Sequence, residues 1–181
     1  NAECRLTLHK NCRNTENICR TAMSLLPECG RAEVLRGIAG KIPCIHFCGK
    51  GTYFNALDDV IGGLRRDGID DIVILTLSTE TDSIVSGAVK DGVYGECRFM
   101  SCRKFKGLEA DAVILVDFTE RTVTDDAMLF YVGASRARIR LEIMTVMDNE
   151  SCRNALERTE GSGAGRRPMR DLASMLKCTA L

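Results

Sequence analysis

The sequence predicts an α/β fold whose mostly parallel central sheet is flanked by helices. Two observations carry that prediction. Short aliphatic, β-branched runs such as Ile72-Val73-Ile74-Leu75 and Ala112-Val113-Ile114-Leu115-Val116 suit strands buried on both faces. Between such runs lie longer segments with apolar residues at helical spacing. Strands that alternate with helices in this way pair in parallel through right-handed crossovers.

Each element follows in order. Arg5 to His9 reads as a short strand. Thr15 to Leu26 reads as a helix with Ile18, Ala22, Leu25 and Leu26 on one stripe and with Pro27 and Gly30 as stops. Residues 31 to 41 carry little periodicity. Ile42 to Cys48 is a strand, and Gly49 to Gly51 turn the chain. Tyr53 to Arg66 is a helix, because Phe54, Leu57, Val60, Ile61 and Leu64 recur at its period and Gly68 ends it. Asp71 to Leu77 is a second buried strand, Ser83 to Lys90 a short helix and Arg98 to Ser101 a short strand. Asp111 to Asp117 is the central strand. Asp125 to Arg136 is a helix with two aspartates at its positive end. Arg140 to Met147 is a strand, Asn149 to Arg158 a helix, and Met169 to Cys178 a terminal amphipathic helix.

Charge and composition narrow the function. Lysine plus arginine equals aspartate plus glutamate at 25 each, so the formal net charge is zero. That excludes a protein that holds nucleic acid by overall charge, and it leaves a local basic patch open. A chain of 181 residues suits one domain with an appendage, and residues 159–168 have linker composition. No window approaches the ~20 apolar residues of a membrane span, and the N-terminus carries no signal-peptide pattern, so a cytoplasmic location is expected. The 10 cysteines include no Cys-x-x-Cys pair, and His9 and His46 form no ligand spacing. They read as reduced, small hydrophobes rather than as zinc ligands or disulfides.

Chemistry concentrates in three segments. Lys104-Phe105-Lys106-Gly107-Leu108-Glu109 puts lysines, a flexible glycine and a carboxylate at one end of the central strand. Loops at one edge of a parallel α/β sheet usually bind its ligand. Lysines suit phosphates and a carboxylate suits a sugar hydroxyl, so a nucleotide or nucleic acid is expected. The other two segments are Tyr131-Val132-Gly133-Ala134-Ser135-Arg136-Ala137-Arg138 and Leu8-His9-Lys10-Asn11-Cys12-Arg13-Asn14-Thr15. Together the three resemble motifs of the UvrD-like helicases of superfamily 1. The family's fifth motif has a K-G-L-E core before a buried strand, and its sixth reads roughly Y-V-G-x-S/T-R-A. Its fourth reads Asn, an aromatic residue, Arg, then Ser or Thr. The three occur here in the family's order, between residues 8 and 138.

The resemblance implies the C-terminal RecA-like domain of an ATP-dependent DNA helicase. A three-layer sandwich would span residues 1–158, followed by the linker at 159–168 and a C-terminal helix at 169–181. It implies Arg136 as an arginine finger on the γ-phosphate, a role that can be worth ~10³ or more in rate. It implies Arg13 as a second phosphate contact and Glu109 as a ribose contact, with Gly107 giving the nucleotide loop its backbone freedom. Ser101, Arg103 and Lys106 would meet the backbone of single-stranded DNA, which positions a strand without reading its sequence. Arg138 and Arg140 read as surface or nucleic-acid-facing charges. Asp117 reads as structural, because the family's Mg²⁺-binding aspartate belongs to the first domain.

The chain departs from the pattern at two places. Cys12 stands where the family carries an aromatic residue against the adenine, and a thiol has no aromatic face. Arg103 stands where many members carry histidine. No G-x-x-x-x-G-K-S/T occurs either; Gly49-Lys50-Gly51-Thr52 is a superficial echo. ATP with Mg²⁺ is therefore expected to bind only together with an N-terminal RecA-like domain of the same helicase. The chain alone is expected to be inactive. Expected partners are that domain and single-stranded DNA, with no membrane. The alternative is a non-catalytic interaction or regulatory domain that kept the RecA-like fold and lost ATP chemistry.

Overall fold

The computed structural model describes residues 10–11, 13–26, 33–34, 37–160 and 165–181. The strand expected over Arg5 to His9, and Cys12, lie outside the described residues. In chain order the elements are β1 (Lys10–Asn11), α1 (Glu16–Ala22), β2 (Glu33–Val34), β3 (Cys44–Phe47), α2 (Tyr53–Arg66) and β4 (Ile72–Thr76). A 3-10 turn (Ser86–Ala88), β5 (Val93–Tyr94), β6 (Cys97–Ser101), β7 (Ala110–Phe118), α3 (Glu120–Thr124) and α4 (Ala127–Ala134) follow. The chain ends with β8 (Ala137–Thr145), α5 (Asn149–Glu160), α6 (Pro168–Met175) and β9 (Thr179–Ala180).

Seven described strands form one sheet in the order β5-β6-β4-β7-β8-β3-β9, and β1 pairs with β2 in a separate parallel ladder. Neighbours in the large sheet are parallel except β5 and β6. β7 is the middle strand, as its aliphatic sequence predicts. Side chains alternate across a strand, so β7 serves two cores at once. Val113 and Leu115 join Ile18, Phe130, Leu141 and Leu172 on one face. Ala112, Ile114 and Val116 join Tyr53, Leu57, Ile61 and Leu64 of α2 on the other. That is the predicted α/β architecture of a parallel sheet between helical layers. No described helix is long and apolar enough to cross a membrane.

α2 has the bounds read from its periodicity. Its end explains why: Gly68 adopts φ +80, its amide donates to the Arg65 carbonyl at 2.9 Å, and the Ile69 amide donates to the Leu64 carbonyl at 3.1 Å. This is a Schellman terminator, which favours glycine in the left-handed position.

Elsewhere the elements shift. The helix expected over Ser83 to Lys90 is a single 3-10 turn. The Ser83 hydroxyl and the Ile84 amide donate to the Asp117 carboxylate at 2.6 and 2.9 Å, and such side-chain anchors compete with helical hydrogen bonds. The helix expected over Asp125 to Arg136 is α4, ending at Ala134, and α3 precedes it unforeseen. The strand expected over Arg140 to Met147 begins at Ala137, because Ala137 pairs with Ala110 of β7. The terminal helix runs from Pro168 to Met175, and the residues after it add β9 beside β3.

Candidate functional site

Two edges of the parallel sheet carry the candidate residues. Glu109 precedes β7 and Arg136 precedes β8, so both stand at the amino ends of their strands. Ser101 closes β6 at the carboxyl end. Residues 102–109 cross from one edge to the other. Phe105, fully buried, fastens the crossing to the core, and the Arg98 guanidinium lies 5.7 Å from its ring centroid. Gly107 adopts φ +91 with open space where a side chain would stand, so conformation rather than crowding requires glycine there.

At the amino edge the chain brings Arg13, Glu109 and Arg136 together. Arg13 Nε lies 2.8 Å from Glu109 Oε2, and both side chains are partly exposed. Arg136 is half-buried, and its Nε donates to the Val132 carbonyl at 3.1 Å. Desolvation and then the nearby Arg13 guanidinium push the Arg136 pKa down, while Tyr131, Cys102 and Glu109 oppose them. Arg13 and Arg136 thus stand close enough for one charge to act on the other, with the Glu109 carboxylate beside them. Arg138 pairs with Asp111 at 2.5 Å and approaches Glu109 at 3.6 Å, so it balances the local acids.

Asn14 builds this rim, and the motif reading missed it. It is 1% exposed, and its Nδ2 donates to the carbonyls of Ser135 and Ala137, the residues on either side of Arg136. The side chain next to Arg13 therefore clamps the α4–β8 junction. The Ala110 amide donates to the Arg136 carbonyl at 3.1 Å, which ties the start of β7 to the same junction. The only sequence signal was an amide-bearing residue beside a candidate arginine. Gly133 fits α4 to the crossing segment, because a Cβ there would stand 2.7 Å from Cys102 Sγ and 2.8 Å from Leu115 Cδ2.

At the carboxyl edge the Ser101 amide donates to Glu80 Oε1 at 3.0 Å. Arg103 and Lys106 are exposed and line a cavity of about 400 Å³ with Asp125, Asp126 and residues of α4. Asp117 is a structural knot, as expected. Its backbone is left-handed at φ +62, and its carboxylate accepts the Thr76 and Ser83 hydroxyls at 2.6 Å and the Ile84 amide at 2.9 Å. The reading of Arg140 as a surface charge is corrected: it is largely buried and pairs with Asp67 at 2.6 Å and Glu142 at 3.0 Å. It lines a cavity of about 500 Å³ between α2 and β3 that also holds His46. Among the described residues no three His, Cys, Asp or Glu side chains gather as a metal site, and Cys44, Cys48, Cys97, Cys102, Cys152 and Cys178 are free thiols.

Chemically, the amino edge offers guanidinium groups for a phosphate and a carboxylate for a hydroxyl. The carboxyl edge offers backbone and cationic donors along a strip. The two lie at opposite ends of the strands, so the single ligand-binding edge expected from the sequence becomes two.

Residues 96–144, which contain the fifth- and sixth-motif segments, match the UvrD-like helicase C-terminal domain family. The resemblance read from the motifs is thus borne out. Among solved structures, the chain is similar to the C-terminal domain of a possible DNA helicase from Lactobacillus plantarum WCFS1, with a TM-score of 0.56 and 16% identity. That likeness covers 75% of this chain and 87% of the other, and it is a likeness of fold. No curated protein matches the chain in sequence.

Proposed function

We propose that this chain is the C-terminal half of an ATP-dependent superfamily 1 DNA helicase or translocase. One observation carries the reading: Arg13 and Arg136, far apart in sequence, meet beside Glu109 on one rim. Three residues suited to a nucleotide's phosphates and ribose converge there, and an exposed ion pair such as Arg13–Glu109 stabilises a fold little. The family match over residues 96–144 and the shared fold support the same reading.

In this reading Arg136 stabilises the charge that develops on the γ-phosphoryl oxygens, and Arg13 contacts the same phosphate. Glu109 receives a ribose hydroxyl, and Gly107 shapes the loop that presents it. Ser101, Arg103 and Lys106 hold the single-stranded DNA backbone at the opposite edge. When bound, ATP with Mg²⁺ supplies the phosphoanhydride bond whose cleavage drives movement. This chain's cations fit the phosphate end alone, and the P-loop and metal-binding groups come from an N-terminal RecA-like domain. Residues 102–109, which span both edges, are the part that would relay cleft closure to the DNA grip.

The test is made in the polypeptide or complex that also supplies the P-loop. Arg136→Ala should lower DNA-stimulated kcat by ~10³ with little change in KM, as removal of an arginine finger does. A variant that keeps the normal DNA-stimulated rate refutes the finger role. Turnover by the 181-residue chain alone that disappears in Arg136→Ala would contradict the half-site reading.

A further inference from the structure

Glu80 stands where a phosphate would be expected. Its Oε1 accepts the Ser101 amide at 3.0 Å, and its Oε2 accepts the Lys104 ammonium at 2.6 Å. Those two oxygens take, from one amide and one ammonium, the contacts that the non-bridging oxygens of a phosphodiester take from protein donors. The contact lies beside Arg103, on the same edge as the strip proposed for single-stranded DNA.

The arrangement is built rather than incidental. The Ser101 amide lies at the end of the β4–β6 pairing, where Cys102 makes the last ladder bond to the Thr76 carbonyl. Glu80 reaches it from a closed turn, in which the Thr79 hydroxyl donates to Asp82 at 2.5 Å and the Asp82 amide donates back to it at 3.2 Å. Just beyond, Ser83 and Ile84 are fastened to the Asp117 carboxylate. An anchored loop therefore delivers the carboxylate. Lys104 first, and then the Ser101 amide, hold the Glu80 carboxyl below the usual carboxylate range, so it is an anion at neutral pH. The Lys104 side chain is 69% exposed, and an exposed Lys–Glu pair adds little to stability, so the fold does not depend on this contact.

We propose that the Ser101 amide and the Lys104 ammonium form a phosphodiester-binding site that Glu80 covers until single-stranded nucleic acid displaces it. The proposal rests on the reading of the carboxyl edge as a nucleic-acid track. It adds Lys104 to that track and makes Glu80 a built-in competitor for the backbone. Displacement requires no chemistry: one anion exchanges for another, and the freed carboxylate returns to water.

Binding of a labelled oligothymidylate to the whole chain, followed by fluorescence anisotropy over a series of KCl concentrations, tests it. Each phosphate newly neutralised on a single strand steepens the slope of log affinity against log salt by about 0.7. Because the strand displaces Glu80 in the wild type too, the same phosphate is neutralised in both, so Glu80→Ala should bind severalfold more tightly with little change in slope. Glu80→Gln, which keeps the shape of the side chain, should show the tightening in part. Adding Lys104→Ala to Glu80→Ala should make the slope shallower than the wild-type value by about 0.7. Thermal melts check that each variant folds, and Glu80→Gln carries the test if Glu80→Ala does not. Affinity that is unchanged or weaker in the folded Glu80 variants, while wild type binds, overturns the role of Glu80 alone. Failure of wild type and both Glu80 variants to bind at any salt overturns the nucleic-acid reading as well.

Discussion

Arg13 and Arg136 repel one another, and Asn14 holds them side by side. Desolvation and the Arg13 charge both press the Arg136 pKa down. Glu109 offsets part of that repulsion through its contact with Arg13. Asn14 holds the geometry, since its buried amide bridges the carbonyls of Ser135 and Ala137. Asn14→Ala leaves two buried acceptors without this donor and should destabilise the chain by about 1–3 kcal/mol, read from urea denaturation. On the proposed reading, the same change in the polypeptide that also supplies the P-loop should lower ATP turnover more than a surface substitution of equal stability cost. Equal losses from both would show that Asn14 serves only the fold.

Among the described elements, two helix ends that close with a left-handed residue show how local rules succeed and fail. α2 ends at Gly68, and its bounds were legible because a strong apolar stripe and a glycine stop agree. α6 ends in the same hydrogen-bond pattern, with the Lys177 amide on the Ser174 carbonyl at 3.1 Å and the Cys178 amide on the Ala173 carbonyl at 2.8 Å. There Lys177 itself takes φ +59. No glycine marked the stop, so the sequence reading carried that helix on to Cys178. Lys177→Gly should raise stability by about 0.5–1 kcal/mol, measured by thermal or chemical denaturation, because a side chain is strained at that φ. A loss of stability would show that the lysine side chain contributes more than its backbone strain costs.

The central strands were legible because an aliphatic run buried on both faces has few other uses, as β4 and β7 show. β5 and β9 were not, since two-residue edge strands carry no period of their own. The same division runs through the candidate site. Arg13, Glu109 and Arg136 were named from short motifs, while Glu80 and Asn14 act through tertiary contacts that no local pattern records.

At the scale of the whole molecule, charge sets the range of pH in which the fold holds. The carboxyls of Asp67 and Asp148 are lowered by hydrogen bonds or neighbouring cations. Groups lowered in the folded state bind protons more weakly there than in the unfolded chain, so stability is lost as pH falls through their folded values. Burial acts in the other direction on the thiols, pushing Cys102 and Cys178 up to about 12 and Cys152 to about 11. Their contribution is present below the ordinary thiol value of 9.0 and fades as pH rises toward those figures. Urea midpoints taken across pH should fall away on both sides of a neutral plateau. Thiol alkylation of the native chain at pH 8 should be slow at these three cysteines, and rapid labelling of Cys102 would contradict its burial.

The position of β3 carries one more consequence. This early strand lies between β8 and β9, both of which come from the far end of the chain. During translation, therefore, Ile45 and its neighbours leave the ribosome long before either flanking strand exists. The arginine rim shares the delay, because Asn14 awaits partners 121 and 123 residues downstream. A nascent chain stalled before Arg140 should remain protease-sensitive around β3. One stalled far enough beyond Leu181 to free β9 from the ribosome should become resistant there, with the Asn14 bonds to Ser135 and Ala137 already able to form.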